Sequence, residues 1–391
     1  MDTGNAIDVA TPEGEIKTKA LFDAMGRMGY QAAGIGERDL DRSWESLDAI
    51  RKRAAFPMLA ANVRLQKSGQ RLLDPYTIVT FDPKKWAAMR GKPLRVGVTS
   101  VIRYNPTFLK PGPGGDNIVV TSPGEELKTL IPEMRKKADF VVVLGSMPKD
   151  SARMLARDVP GIDVILSAYG GMVTMGDEIE GTTRMLYLGN QGKNLGEIRA
   201  LPIPNGWQTT QTLHYLSSTY PEDPKMKEAV LSALGEINET NRQAAQARAQ
   251  APRPATGAAA AASGDRPTYA GSETCRDCHA EEWGIWKESR HAHAFDIMVA
   301  RKVDYNPECV VCHVTGFRSR SGFEDATNTP GLVHVQCEAC HGPASAHLRD
   351  PSIPYGRTSG DTMCRTCHTG ENSPGYSFDV YWPKVSHGKG S

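Results

Sequence analysis

Cysteine is missing from the first 274 residues of this 391-residue chain. No disulfide framework or thiolate metal site can organise that region. Histidine is almost as scarce there, with His214 alone before position 275. A metal centre built on several imidazoles is excluded from the same stretch. No run of 18 apolar residues occurs, which excludes a hydrophobic membrane-spanning helix. Neither charge sign dominates, since 46 Lys and Arg face 45 Asp and Glu for a net +1. That balance argues against a general nucleic-acid binder and against a basic membrane-surface patch. The opening MDTGNAIDVATPEGE has neither a basic n-region nor an apolar h-region.

What the first region lacks, the tail concentrates. All eight cysteines fall in four copies of one pattern, CRDCH (275–279), CVVCH (309–313), CEACH (337–341) and CRTCH (364–368). Two thiols at this spacing reach the two vinyl groups of one porphyrin, and the following histidine turns its imidazole onto the iron. The pattern predicts four covalently attached haem c groups. Their thioether bonds come from Cys275, Cys278, Cys309, Cys312, Cys337, Cys340, Cys364 and Cys367, and their proximal ligands are His279, His313, His341 and His368. A pair of zinc sites would use the same eight thiolates but would not require histidine after every knuckle. Internal disulfides would leave the histidines equally unexplained. Five more histidines, His291, His293, His334, His347 and His387, lie in the same tail and are candidates for the opposite faces of the irons. His214 reads as an ordinary structural residue.

Composition divides the chain at 1–240, 241–268 and 269–391. The middle segment, NRQAAQARAQAPRPATGAAAAASGDRP and the residue after it, starts helical and becomes a linker at Pro252. The tail has about thirty residues per cofactor, too few for an ordinary core, so the haems themselves must fill it. Short helices such as 281–295, with Gly- and Pro-rich loops, are expected to wrap them. From 268 onward 12 Lys and Arg stand against 15 Asp and Glu before any propionate is added, which favours redox partners with basic docking surfaces. In the first region, β-branched runs at 94–102, 138–146 and 161–170 alternate with helical stretches such as 14–30. That alternation predicts an α/β domain with buried strands, closed by a helix starting near Glu228.

The tail phrases CRDCHAEEWGIWKESRHAHAF, CVVCHVTGF, VQCEACHGPASAH and CRTCH resemble the tetrahaem cytochrome c-554 family over roughly 269–391. The resemblance implies a mostly helical, loop-rich electron carrier of the periplasm or cell exterior, with mostly bis-histidine haems. It aligns His291, His347 and His387 with distal ligands and leaves the fourth position between His334 and His293. Some relatives leave one haem five-coordinate. With four distal faces closed, each iron would be low-spin and would only transfer electrons. One open iron would instead suit a haem oxidoreductase acting on a small nitrogen or sulfur compound. A third reading is a homo-oligomer or haem-lined filament, in which a spare histidine of one copy binds the iron of the next.

In the first region DTGNAID (2–8), KALFDAMGRMGYQAAGIGERD (19–39), FPMLAANV (56–63), VVVLGS and DVILSAYGG resemble the metallophosphoesterase domain of bacterial 5'-nucleotidases. The implied scaffold is the calcineurin-like α/β sandwich. The family's metal-ligand motifs fall here on Gly4-Asn5, Gly36-Glu37-Arg38-Asp39, Ser146 and Ala168-Tyr169-Gly170-Gly171, so every alignable ligand is changed. Two metals activating a shared water need imidazoles and carboxylates that are absent, and phosphatase activity is expected to be absent with them. Asp8, Glu37 and Asp39 are left as candidates for a hard cation, but read first as solvated loop acids. The same resemblance places a strand and a motif before Asp2, and covalent haem attachment is an export-side reaction. A longer gene with an upstream signal peptide is therefore expected.

Overall fold

The computed structural model describes residues 1–82, 92–204, 206–251, 266–356 and 360–387. Most of the segment read as a linker, 252–265, lies outside the described residues. The chain divides into two compact units, Met1–Val230 and Leu231–Ser391.

The first unit begins with β1 (Ala33–Gly34), β2 (Met58–Leu59), β3 (Val63–Leu65), β4 (Tyr76–Phe81), β5 (Leu94–Ile102), β6 (Asn105–Pro111) and β7 (Asn117–Val120). It continues through β8 (Phe140–Ser146), β9 (Val164–Ser167), β10 (Ile179–Glu180), β11 (Thr183–Tyr187), β12 (Asn194–Ile203) and β13 (Gly206–Tyr215). Its helices are α1 (Pro12–Arg27), α2 (Trp44–Arg53), α3 (Pro123–Arg135) and α4 (Lys149–Asp158). A six-stranded sheet runs β10-β11-β9-β8-β5-β4, parallel from β11 to β5 and antiparallel at both edges.

β8 explains the layering. Its seven residues FVVVLGS are all buried, as expected of a parallel strand covered on both faces. Val141 and Val143 face Leu127, Leu130, Ile131 and Met134 of α3, whereas Phe140, Val142 and Leu144 face Ile198, Ala200 and Trp207 of the β12–β13 hairpin. Each fully buried valine or leucine contributes about 1.5–3 kcal/mol of apolar transfer. Helix against one face and hairpin against the other make the expected α/β sandwich. The carboxyl ends of β5, β8 and β9 open on one edge of the sheet, where ligands bind in open α/β folds.

The closing helix α5 (Pro224–Gln250) runs across the division between the units. From Leu231 onward it belongs to the second unit, whereas composition ended the first region at 240 and began the last at 269. Asn238 accepts from the Tyr305 amide at 2.7 Å, Asn241 donates to the Tyr305 carbonyl, and Arg248 donates to Asp325 at 2.8 Å. The predicted helix over 281–295 is shorter than expected. It spans Ala280–Glu288 and gives way to a single 3-10 turn at Arg290–His293. Ser289, in extended conformation, donates its hydroxyl to the Trp286 carbonyl and ends the α-helix there. The second unit's apolar core is small: Phe295, Met298, Val303, Val310, Val314, Phe323 and Leu332.

Candidate cofactor site

The first and third CxxCH motifs are tied together by buried polar contacts. Glu338, inside the third motif and 1% exposed, accepts from the amides of Ala270, Gly271 and Ala344 at 2.7–3.0 Å. Gln336 accepts from the Ser272 amide at 2.7 Å. These bonds fasten the loop entering the first motif to the helix of the third, and no feature of spacing singled out either residue. The thiols follow the same grouping. A hydrogen bond with Cys337 holds the Cys275 thiol down to about 7. Burial pushes Cys312 up to about 11, with Cys367 as its hydrogen-bond neighbour. Motif one therefore meets motif three and motif two meets motif four, while Cys340 of motif three also lies beside Cys364 and Cys367 of motif four.

Imidazoles from distant parts of the tail meet in pairs. The ring centres of His279 and His347 lie 6.3 Å apart, those of His291 and His368 6.3 Å, and those of His341 and His387 5.9 Å. A metal–imidazole bond of about 2 Å plus roughly 1 Å from ring nitrogen to ring centre puts two imidazoles on opposite faces of one ion about 6 Å apart. Each of these pairs joins one histidine of a CxxCH motif to one of the further candidates. Among the described residues, no three His, Cys, Asp or Glu side chains could hold a bare metal ion. A porphyrin supplies four ligands of its own, so two axial imidazoles are what it asks of the protein.

The second ring nitrogens fit the same assignment. Nδ1 of His341 lies 2.7 Å from the Gly356 carbonyl, Nδ1 of His347 3.0 Å from that of Ile353, and Nδ1 of His387 2.8 Å from that of Val385. His313 reaches the Ala294 carbonyl at 2.6 Å. A carbonyl can only accept, so each Nδ1 carries the proton and each Nε2 keeps a free lone pair, as metal-binding imidazoles require. Burial, and then the neighbouring His368, push His291 below its ordinary value; burial alone does so for His368. Both are held neutral, the form that binds metal.

His313 is the exception, because among the described residues no imidazole ring pairs with it. The two histidines that could have completed it face each other instead, with the His293 and His334 ring centres 6.4 Å apart at 69°. His334 Nδ1 accepts the Phe295 amide at 3.1 Å, so its proton sits on Nε2 and that nitrogen has no lone pair to give. His334 is also one of five non-glycine residues at positive φ among the described residues, held at +70°. His293 turns its Nδ1 toward Asp296 at 3.4 Å on the surface. Sequence left the fourth distal position between these two residues, and among the described residues neither ring faces His313. His214, in the first unit, pairs with Glu197 at 2.9 Å.

At the sheet edge of the first unit the altered motif positions do converge. Asn5 donates to Ser146 Oγ at 3.2 Å, and its Oδ1 accepts from the Arg38 amide. Asp39 is not the solvated acid expected from sequence. It is 1% exposed and accepts from the amides of Asn5, Gly36 and Ile7 at 2.6–2.9 Å. Burial outweighs those bonds and raises it to about 6. Glu37 is engaged by Arg103 at 3.0 Å, whose guanidinium also lies over the Tyr169 ring. Asp8 accepts from the Val9 amide at 2.7 Å and lies 4.0 Å from Lys17. The convergent groups satisfy one another, with Arg103 supplying a fixed positive charge.

Comparison with known proteins finds different relatives for different parts of the chain. Residues 274–342 match the family model for cytochrome c554 and c-prime. Cytochrome c-554 of Nitrosomonas europaea is 32% identical over 90 residues, covering 19% of this chain and 38% of that protein. A 5'-nucleotidase of Vibrio cholerae is 31% identical over 170 residues, covering 43% of this chain and 29% of that protein. The sulfate thiohydrolase SoxB of Thermus thermophilus superposes with a TM-score of 0.50 at 17% identity over 60% of this chain and 42% of its own, a likeness of fold. The chain thus spans less than two fifths of either sequence relative. No helix among the described residues is long and apolar enough to cross a membrane.

Proposed function

We propose that the chain is a multihaem c-type cytochrome that passes electrons between redox proteins in the periplasm or outside the cell. The observation that carries this reading is the set of three imidazole pairs, His279 with His347, His291 with His368 and His341 with His387, each formed between separate parts of the tail. Cys275 and Cys278, Cys309 and Cys312, Cys337 and Cys340, and Cys364 and Cys367 would anchor four haems by thioether bonds. When bound, haem c supplies a one-electron iron couple, which two neutral imidazoles hold at low potential. The backbone carbonyls of Gly356, Ile353 and Val385 orient the rings and raise their basicity. The excess of acidic side chains from 268 onward favours partners with basic docking faces, so exchange with such partners should slow as salt rises.

A second reading has its own support. His313 has a proximal role by its motif and no opposing imidazole among the described residues, so one iron would keep an open position for a small nitrogen or sulfur compound. The first unit is proposed as a silent phosphoesterase-like scaffold for docking or assembly. Haem count by pyridine haemochrome, with low-temperature EPR of the full chain, tests these readings together. Four haems, three low-spin and one high-spin, are expected. Absence of covalent haem would overturn the carrier reading, and four low-spin irons would remove the case for an open site.

A further inference from the structure

Two of the imidazoles described above belong to different irons but share one short segment of chain. His341 sends its Nδ1 proton to the Gly356 carbonyl at 2.7 Å, and His347 sends its own to the Ile353 carbonyl at 3.0 Å. Between those carbonyls stands Tyr355. Its ring stacks on His347 at 5.3 Å and 14°, and on His341 at 5.8 Å and 27°. Its hydroxyl donates to the carbonyl of Gly342, the residue that follows His341.

The local sequence PSIPYG is made for this closeness. Pro351 and Pro354 stiffen the approach by fixing φ. The Ile353 amide returns to the Asp350 carbonyl at 3.0 Å and closes the turn. Gly342 sits at φ +84°, which turns the chain directly after His341. A Cβ at Gly356 would lie 2.3 Å from the His341 carbonyl oxygen, so only glycine lets this backbone come so near.

We infer that Tyr355 is a positioning residue that fixes the axial imidazoles of two different haems at once, through a clamp formed by residues 353–356. The inference rests on the ligand assignment proposed above. His341 follows the third motif, whereas His347 pairs with His279 of the first. With haem bound, the stack would limit rotation of each ring, and the carbonyl it meets would raise its basicity. A disturbance at Tyr355 must therefore reach both irons together and spare the pair His291–His368. A residue serving only local stability would not sort the haems in this way.

The test uses the full haem-loaded chain carrying Tyr355→Leu, with Tyr355→Phe beside it. Leucine removes the aromatic stack and the hydroxyl, and phenylalanine removes the hydroxyl alone. EPR g-values and stepwise reduction potentials are read for each haem. Tyr355→Leu is expected to shift the g-values of two low-spin haems and to raise both of their potentials, because weaker bonds to Nδ1 leave the imidazoles less basic. Tyr355→Phe should move the same two haems in the same direction by less. Gly356→Ala should move one haem, the one bound through His341. Unchanged spectra in Tyr355→Leu, a shift of one haem only, or an equal shift of every haem would overturn the clamp. His347→Ala separates this failure from that of the ligand assignment: if it creates no new high-spin haem, the assignment fails whatever Tyr355 does.

Discussion

His347 is held by three independent contacts, to His279, Tyr355 and the Ile353 carbonyl, and it makes the sharpest single-residue prediction. His347→Ala should convert one further haem to high spin, giving two per chain beside the one expected at His313, with carbon monoxide binding to match. An unchanged ratio in the EPR spectrum would contradict it. Asp39 makes a prediction of the opposite kind, about protons rather than metals. Its folded value of about 6 lies above its unfolded one of 3.8, so its contribution to stability is complete below the unfolded value and is lost as pH rises through 6. The loss is about 3 kcal/mol. Asp39→Asn should abolish this part of the slope, so that wild type loses stability relative to the variant as pH rises from 3.8 to about 6. Hydrogen exchange of peptides from the first unit in the full chain measures it, and parallel slopes would refute it. Histidines in CxxCH were legible from spacing alone. Asp39 was not, because a carboxylate among glycines reads as solvated unless the three amides that fold over it are known.

Elements were more legible than their ends. β5 occupies the whole of the expected run 94–102, because nine consecutive residues poor in charge and rich in valine leave little alternative to a buried strand. The helix over 281–295 was overextended, since apolar spacing continues through Ser289 and only the bond from its hydroxyl to Trp286 stops the turn. The same limit applied to α5. Composition saw alanine and polar residues suited to solvent, yet Ile237 and Ala245 are 1% and 0% exposed and Asn238 is 8% exposed. Asn238→Ala would leave the Tyr305 amide without its acceptor, at a cost of about 1–3 kcal/mol. Faster hydrogen exchange over 231–250 and 303–310, with the first unit unchanged, is the expected outcome. Uniform exchange would show that this half of α5 is not integral to the second unit.

At the scale of the whole molecule the two units differ in what fills them. The first has layered apolar cores on both faces of its sheet, and the second has, among its described residues, one apolar cluster of seven buried side chains, a core that the proposed haems would complete. Alternating patterns of apolar residues announced the first kind of core, whereas a cofactor core leaves its trace only in cysteine and histidine. At the sheet edge, Arg103 already neutralises Glu37 and backbone amides already occupy Asp39. The full chain with manganese should therefore hydrolyse AMP and p-nitrophenyl phosphate no faster than buffer. Manganese-dependent turnover that survives chelation of trace contaminants and rises with protein concentration would refute that expectation. α5 also imposes a calendar on the making of the protein. Its partners lie 64 to 83 positions further along, so the helix emerges long before Asp304, Tyr305 and Asp325 exist to receive it. The first CxxCH motif, at 275–279, is complete before that loop emerges, and the motifs at 337–341 and 364–368 only after it, so the stretch that α5 leans on stands between them in the chain.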